Sequence, residues 1–186
     1  MLQDVKHVLL SQWQINARVA EMARAITADH TAAYGQDPMT ILPIMTGAMI
    51  FTGDLIRQIP IRLKIEMITV SSYPGQSTTT QGSSLLSRLP DLSGRHVLLI
   101  DDILDSGGTL RLVQPLLRQA GAASVKTAVL LKKDRPSARD VPVEFVGFEI
   151  PDEFVVGYGL DYNNYYRNLP DIVTLNDAAI AAASAS

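Results

Sequence analysis

His96-Val97-Leu98-Leu99-Ile100-Asp101-Asp102-Ile103-Leu104-Asp105-Ser106-Gly107-Gly108-Thr109 is the stretch on which the reading of this chain turns. Its opening is a continuous apolar run, as expected of a strand buried on both faces. Asp101 to Thr109 then reads as a turn rich in carboxylates, hydroxyls and glycine. Leu110, Val113, Leu116 and Leu117 follow at helical spacing, and Gly121 stands where a helix C′ residue is expected. Glycines let a backbone curl close to a ligand. Successive N–H groups in such a turn, just ahead of a helix, form a nest for an anion. Ser106 and Thr109 add hydroxyl donors, so the turn suits a phosphate monoester. No Gly-Lys-Ser/Thr follows, which excludes a Walker loop, and there is no G-x-G-x-x-G. The paired carboxylates Asp101 and Asp102 can accept from neighbouring hydroxyls, as on a ribose, or hold a hydrated Mg²⁺. Asp105 also suits a helix N-cap.

Outward from this stretch, strands and helices alternate. Ser11 and Gln14 look like a capping box. Ile15, Val19, Met22, Ala23 and Ile26 then keep the helical period, and Gly35 and Pro38 close the region. Thr40 to Met45 reads as a strand, although Pro43 argues against an interior position. Thr46-Gly47-Ala48 leads into a helix carrying Ile50, Phe51, Leu55, Ile56 and Ile59. Ile61, Leu63, Ile65 and Met67 alternate with Arg62, Lys64 and Glu66, predicting a strand with one wet face. From Ser71 to Ser84 the periodicity disappears, and a polar loop of this length is usually functional or disordered. Val125 to Leu131 is another buried strand, and Val143 to Phe148 alternates. The order implies an α/β fold with a mostly parallel central sheet flanked by helices. Ligands of such sheets sit beyond the carboxyl ends of the strands.

Composition narrows the function classes. At 186 residues one domain is expected. With no cysteine, disulfides, zinc-thiolate sites and thiol catalysis are excluded. The net charge of −3 argues against a broad nucleic-acid surface. The apolar runs, about ten residues at most, are too short to span a bilayer. The first residues lack a basic-then-apolar signal segment, so a cytoplasmic protein without membrane partners is expected. His7, His30 and His96 are scattered and read as structural.

The strand-acid-turn segment resembles the phosphoribosyl-pyrophosphate motif of the type I phosphoribosyltransferases. Val143 to Tyr162, with Val143-Glu144-Phe145-Val146-Gly147-Phe148 and Phe154-Val155-Val156-Gly157-Tyr158, is similar to the purine-binding hood of their hypoxanthine-guanine branch, and Arg167-Asn168-Leu169-Pro170 continues the likeness. The resemblance covers about Thr40 to Leu175. It implies a single domain over 1–175, with a core of about 40–133 and a small hood from the N-terminal segment and about 134–175. Residues 176–186 are expected to be a weakly ordered tail. The implied reaction is purine salvage: phosphoribosyl transfer from phosphoribosyl pyrophosphate (PRPP) to N9 of hypoxanthine or guanine, giving IMP or GMP and pyrophosphate. Mg²⁺ is the implied cofactor, and a homodimer or homotetramer the implied assembly.

The resemblance also implies roles. Asp105 meets the purine N7 as catalytic residue. Leu104, Asp105, Ser106, Gly107, Gly108 and Thr109 bind the 5′-phosphate, and Asp101 and Asp102 the ribose hydroxyls, with Asp101 standing where relatives usually carry Glu. Lys133 donates to the purine O6, Phe154 stacks on the base, and Val155 offers backbone groups. Asp161 sits near the base, and Asp101, Asp102 and Asp161 are the implied metal ligands. Thr46, Gly47 and Arg167 hold pyrophosphate; many relatives have Lys at the Thr46 position and a cis peptide in this loop. Ser72 and Tyr73 begin a mobile loop, uncharged here from Gly75 to Gly82. An ammonium has donors only, so Lys133 favours a 6-oxo group over a 6-amino group. The alternatives are a regulator that keeps the fold without the chemistry, and an enzyme preferring xanthine.

Overall fold

The computed structural model describes residues 1–72 and 83–184. The chain runs β1 (Val5–Leu10), α1 (Gln12–Tyr34), β2 (Met39–Met45), α2 (Met49–Ile56), β3 (Leu63–Ile65), β4 (Ile68–Ser72), β5 (Ser83–Leu85) and β6 (His96–Leu104). It continues with α3 (Gly108–Gln119), β7 (Ser124–Lys133), β8 (Phe145–Ile150), β9 (Val155–Val156), β10 (Ile172–Leu175) and α4 (Asp177–Ser184). The main sheet has the order β5-β4-β2-β6-β7-β8, with β3 also beside β2. All its pairings are parallel except β4 with β5. Strands β1, β10 and β9 form a separate antiparallel sheet.

Local chemistry accounts for the helix ends. Ser11 Oγ accepts from the Gln14 N–H at 3.4 Å, and Gln14 Oε1 accepts from the Ser11 N–H at 2.9 Å, so the capping box is complete. At the far end of α3, Gly121 has φ +87°. Its N–H reaches the Arg118 carbonyl at 3.1 Å, while the Ala122 N–H reaches that of Leu117 at 3.3 Å, the two bonds of a Schellman cap. Helix α1 buries Ile15, Val19, Met22, Ala23 and Ile26 in the cluster that covers one face of the sheet, together with Phe51 and Leu55 of α2. Leu110, Val113 and Leu117 of α3 cover the other face.

Pro43 does lie inside β2, opposite Ile100 of β6. On the other flank, Ile41 pairs with Ile65 and Ile44 with Ile68 in one continuous register, interrupted at Glu66 and Met67. Ile41 turns its carbonyl to that flank, where it accepts from the Glu66 N–H at 3.0 Å. Residues two apart share a side, so the donor that Pro43 lacks would have faced the interruption.

Two expectations need correcting. The alternation from Ile61 to Met67 yields only a three-residue strand, and Ile65 and Met67 stay 53% and 61% exposed at the sheet margin. Ile61 and Leu63 still pack against the core, so the alternation loses its cover only at its end. The acidic turn is also shorter than expected. Asp101 pairs with Val129, Ile103 with Leu131 and Leu104 with Lys132, so the strand persists through both carboxylates and the turn begins at Asp105. In the alanine-rich tail, α4 brings Ala179 against Val173 and Leu175. Among the described residues no helix is long and apolar enough to cross a membrane.

Candidate active site

A cavity of about 530 Å³ opens beyond the carboxyl ends of β2 and β6. Gly47, the run Asp101 to Leu110, Asp161 and Arg167 line it. The parallel sheet therefore brings the expected nest, the carboxylate pair and two residues of the 157–169 segment to one place. Gly107 takes φ +83° at the N-terminus of α3 and offers no side chain to cap its first amides. Ser106 Oγ accepts weakly from the Gly108 N–H at 3.5 Å. Arg111, unassigned by sequence, straps this turn by donating to the Ser106 carbonyl at 3.0 Å and the Ser137 carbonyl at 2.6 Å.

Asp101 is buried, and burial pushes its carboxyl well above the usual range, with the adjacent Asp102 charge adding to the shift. Burial also raises Asp102, against the opposing pull of its hydrogen bonds to Asp101 and to the Ile103 N–H. That N–H lies 2.8 Å from Asp102 Oδ1. The loop after β2 passes very close: a Cβ on Gly47 would stand 1.9 Å from Asp102 Oδ2. The Met45–Thr46 peptide that leads into this loop is cis.

Arg167 is held from two sides, by Asp161 at 2.7 Å and by the Gly159 carbonyl at 2.7 Å. Tyr158, with φ +50°, donates to Asp54 Oδ2 of α2 at 2.7 Å. Burial and that carboxylate hold the Tyr158 hydroxyl far above its usual range. The Asp54 carboxylate is also paired with Arg57 at 2.6 Å.

At the ends of β6, β7 and β8 four charged side chains meet. Lys133 Nζ lies 3.2 Å from Asp105 Oδ2 and 3.5 Å from Asp152 Oδ1. Arg135 reaches Asp105 Oδ1 at 2.7 Å and Asp152 Oδ1 at 2.6 Å. The Arg135 guanidinium holds the Asp152 carboxyl below the usual range, with Lys133 adding to the effect. Lys133 is only 5% exposed, whereas Lys132 points the other way, toward Glu149 at 3.7 Å. Strand alternation thus separates two neighbours that composition alone does not distinguish.

Phe154 is 49% exposed and meets Tyr162 in a T-shaped contact at 5.2 Å. Val155 is buried in β9. Thr46, Lys133, Phe154 and Val155 do not line the cavity itself, although Lys133 touches its wall through Asp105. Ser72 ends β4, and Tyr73 lies outside the described residues. The three histidines are occupied elsewhere: His7 with Thr174, His30 with the Asp37 carbonyl and His96 with Ser124. Sequence reading assigned nothing to Arg111, Arg135, Asp152 or Tyr158. Only the position of Arg135, two residues past Lys133, hints at its place.

Comparison with known proteins agrees with this geometry. The model of the phosphoribosyl transferase domain family matches residues 9–163. Hypoxanthine-guanine phosphoribosyltransferase of Bacillus subtilis is 42% identical over 182 residues, covering 96% of this chain and 97% of that protein. Hypoxanthine phosphoribosyltransferase of Escherichia coli is 41% identical over 174 residues, covering 92% and 96%. Among solved structures, the hypoxanthine-guanine enzyme of L. donovani superposes with a TM-score of 0.85 at 33% identity, over 95% of this chain and 99% of that one. A mutant of the Trypanosoma cruzi hypoxanthine enzyme, complexed with the product IMP, gives 0.87 at 31% identity, over 99% and 97%.

Proposed function

The chain belongs to the phosphoribosyltransferase family, and on that footing we propose that it is a purine-salvage enzyme of the hypoxanthine-guanine branch. It transfers the phosphoribosyl group of PRPP to N9 of hypoxanthine or guanine, yielding IMP or GMP and pyrophosphate. The observation that carries this reading is the cavity in which the Asp105–Thr109 nest, the Asp101–Asp102 pair and Arg167 converge. Each suits one part of PRPP: the 5′-phosphate, the ribose hydroxyls and the pyrophosphate.

The chemistry needs charge stabilisation more than a protein nucleophile. In the N7–H tautomer of the base, the N9 lone pair forms the C1′–N9 bond as the bond from C1′ to the pyrophosphate oxygen breaks. The N7 proton passes toward Asp105, whose Oδ2 faces the open side. Lys133 donates to O6 and so admits a 6-oxopurine; adenine presents an amino group there and leaves the buried ammonium facing another donor. Phe154 stacks on the base, Val155 offers its backbone groups to the base edge, and Asp161 flanks it. The Thr46–Gly47 loop and Arg167 hold pyrophosphate, and Ser72 and Tyr73 match the start of the family's catalytic loop.

The cavity lining holds four carboxylates, Asp101, Asp102, Asp105 and Asp161, against the single guanidinium of Arg167. Asp105 and Asp161 are paired with Arg135 and Arg167, while among the described residues Asp101 and Asp102 have no ion-pair partner, so a cation accompanying a polyanionic substrate would suit their side of the cavity. Hard carboxylate oxygens fit Mg²⁺, and Asp101, Asp102 and Asp161 are the residues that would hold it. Among the described residues no group of three such side chains converges on one point, so substrate oxygens and water would have to complete the coordination of such an ion. When bound, Mg²⁺ neutralises the departing pyrophosphate.

The domain spans 1–175, with residues 40–133 as core and the N-terminal segment plus 134–175 as hood. The enzyme acts in the cytoplasm, without nucleic-acid partners, as a homodimer or homotetramer; the exposed Trp13 of α1 and Met49 of α2 are the apolar contacts offered for assembly. Initial rates with PRPP and Mg²⁺, using hypoxanthine, guanine, xanthine and adenine separately, test the reading. Turnover of the first two and none with adenine is expected. A folded protein that binds PRPP yet turns over no base would instead be a sensor.

A further inference from the structure

Asp105 has two oxygens in different surroundings. Its side chain is 41% exposed, yet Oδ1 is closed off from solvent and turned to Arg135. The open oxygen is therefore Oδ2, which Lys133 approaches at 3.2 Å. Arg135 does not reach Asp105 alone. One terminal nitrogen meets Asp105 at 2.7 Å while the other meets Asp152 at 2.6 Å, and Asp152 also faces Lys133 at 3.5 Å. The four groups close a ring of alternating sign, and they come from the ends of three adjacent strands, β6, β7 and β8.

Arg135 and Asp152 are 37% and 45% exposed, and ion pairs in such places contribute little to stability, so their half of the ring is poorly explained as a staple. Its geometry has another use. A planar fork can hold two carboxylates at a fixed distance and angle, which a lysine ammonium cannot do. Neither the Arg135 Nε nor Asp105 Oδ1 has a hydrogen-bond partner, so the guanidinium meets the two carboxylates as ion pairs through its two terminal nitrogens. We infer that Arg135, braced by Asp152, is a positioning residue that holds Asp105 Oδ1 and thereby presents Oδ2 to the purine. The inference rests on the proposed role of Asp105 in base recognition. Arg135 itself touches neither base nor phosphate; it acts through the carboxylate. Arg111 is the other guanidinium beside this turn, and it is committed to the Ser106 and Ser137 carbonyls.

The test is steady-state kinetics on the full chain, varying hypoxanthine at saturating PRPP and the reverse. The variants are Arg135→Gln, Arg135→Lys, Asp152→Asn and the double Arg135→Gln/Asp152→Asn, each checked for an unchanged melting temperature. Misplacing a reacting group by an ångström can cost about a hundredfold, so Arg135→Gln is expected to lower kcat/KM for hypoxanthine about tenfold to a hundredfold. The KM for PRPP should stay within about twofold, because no phosphate contact is lost. Arg135→Lys and Asp152→Asn should fall between, and the double variant should be no worse than Arg135→Gln, since both residues act through one carboxylate. Parent-like hypoxanthine kinetics in Arg135→Gln overturn the inference. So does a loss shared equally by both substrates, which marks a merely structural role. If the parent protein turns over no base at all, the proposed function fails first and the inference with it; if the parent is active and Arg135→Gln matches it, the inference fails alone.

Discussion

Lys133 Nζ lies 3.2 Å from Asp105 Oδ2, so the cation and the carboxylate assigned to the purine edge are each other's partners before a base arrives. The base exchanges this pair for two hydrogen bonds of its own, one to O6 and one at N7. Removing the ammonium therefore costs both the O6 donor and the neutralising partner of Asp105. Lys133→Ala is expected to lower kcat/KM for hypoxanthine by about a hundredfold while narrowing the preference over adenine. Rates with the two bases, compared in parent and variant, check this. Unchanged selectivity would remove the O6 assignment.

Burial raises the carboxyls of Asp101 and Asp102, and the sign of the consequence follows from linkage. A carboxyl with a raised folded-state pKa binds its proton more tightly in the folded chain. Its contribution to stability is full below the ordinary value near 3.8 and is lost as pH rises through the folded-state value. Above the ordinary value the folded protein carries the cost of burying this carboxyl, as a charge or through the proton it retains. Asp101→Asn is therefore expected to stabilise it by about 1–3 kcal/mol at neutral pH. The gain should shrink as the pH falls toward 3.8. Urea unfolding of both proteins across that range reads the difference directly, and a gain that grows on acidification contradicts the burial argument.

The contact between Gly47 and Asp102 leaves no room for a methyl group, since a Cβ would come within 1.9 Å of the carboxylate oxygen. Gly47→Ala must displace either the loop or Asp102. We expect PRPP affinity to fall by about tenfold or more while the melting temperature changes little, because the strain can relax at the rim of the cavity. Calorimetric titration of PRPP with Mg²⁺ measures it. A variant that binds as tightly as the parent would show that the loop rearranges at no cost to the ligand.

Arg167 is the one cationic side chain among the described residues lining the cavity, and Asp161 already pairs with it, which suggests a gain-of-function change. Thr46→Lys places a cation beside the expected pyrophosphate position. The KM for PRPP should drop by about threefold to tenfold, with a steeper dependence on salt. Kinetics at two ionic strengths decide the matter; a KM that rises would mean the loop tolerates only a short side chain.

Much of this arrangement could be read before any coordinates. The run from His96 to Leu117 contains a buried strand, a nest and a helix in consecutive residues, and each is specified by local chemistry. The Ser11–Gln14 cap and the Gly121 terminus are local in the same sense. The limits are equally physical. Arg135 and Asp152 owe their meeting with Asp105 to the side-by-side placement of β6, β7 and β8, which no spacing along the chain encodes. The Ile61–Met67 alternation holds as far as Lys64, with Ile61 and Leu63 against the core, and fails at Ile65 and Met67, because period-2 patterning tells which residues share a face, not how far that face is covered. Pro43 argued against an interior strand only until the gap at Glu66 and Met67 was visible on the flank it faces.

Helix α1 does one more thing with consequences for the whole molecule. Arg18 reaches across from α1 to β8, donating to the Val146 carbonyl at 2.9 Å and the Gly147 carbonyl at 2.7 Å. Strand β8 is the outermost of its sheet, the position at which a neighbouring chain could add a strand of its own. With two of its carbonyls taken by a guanidinium, that border offers an incoming strand fewer free acceptors, which weighs against sheet growth on this side.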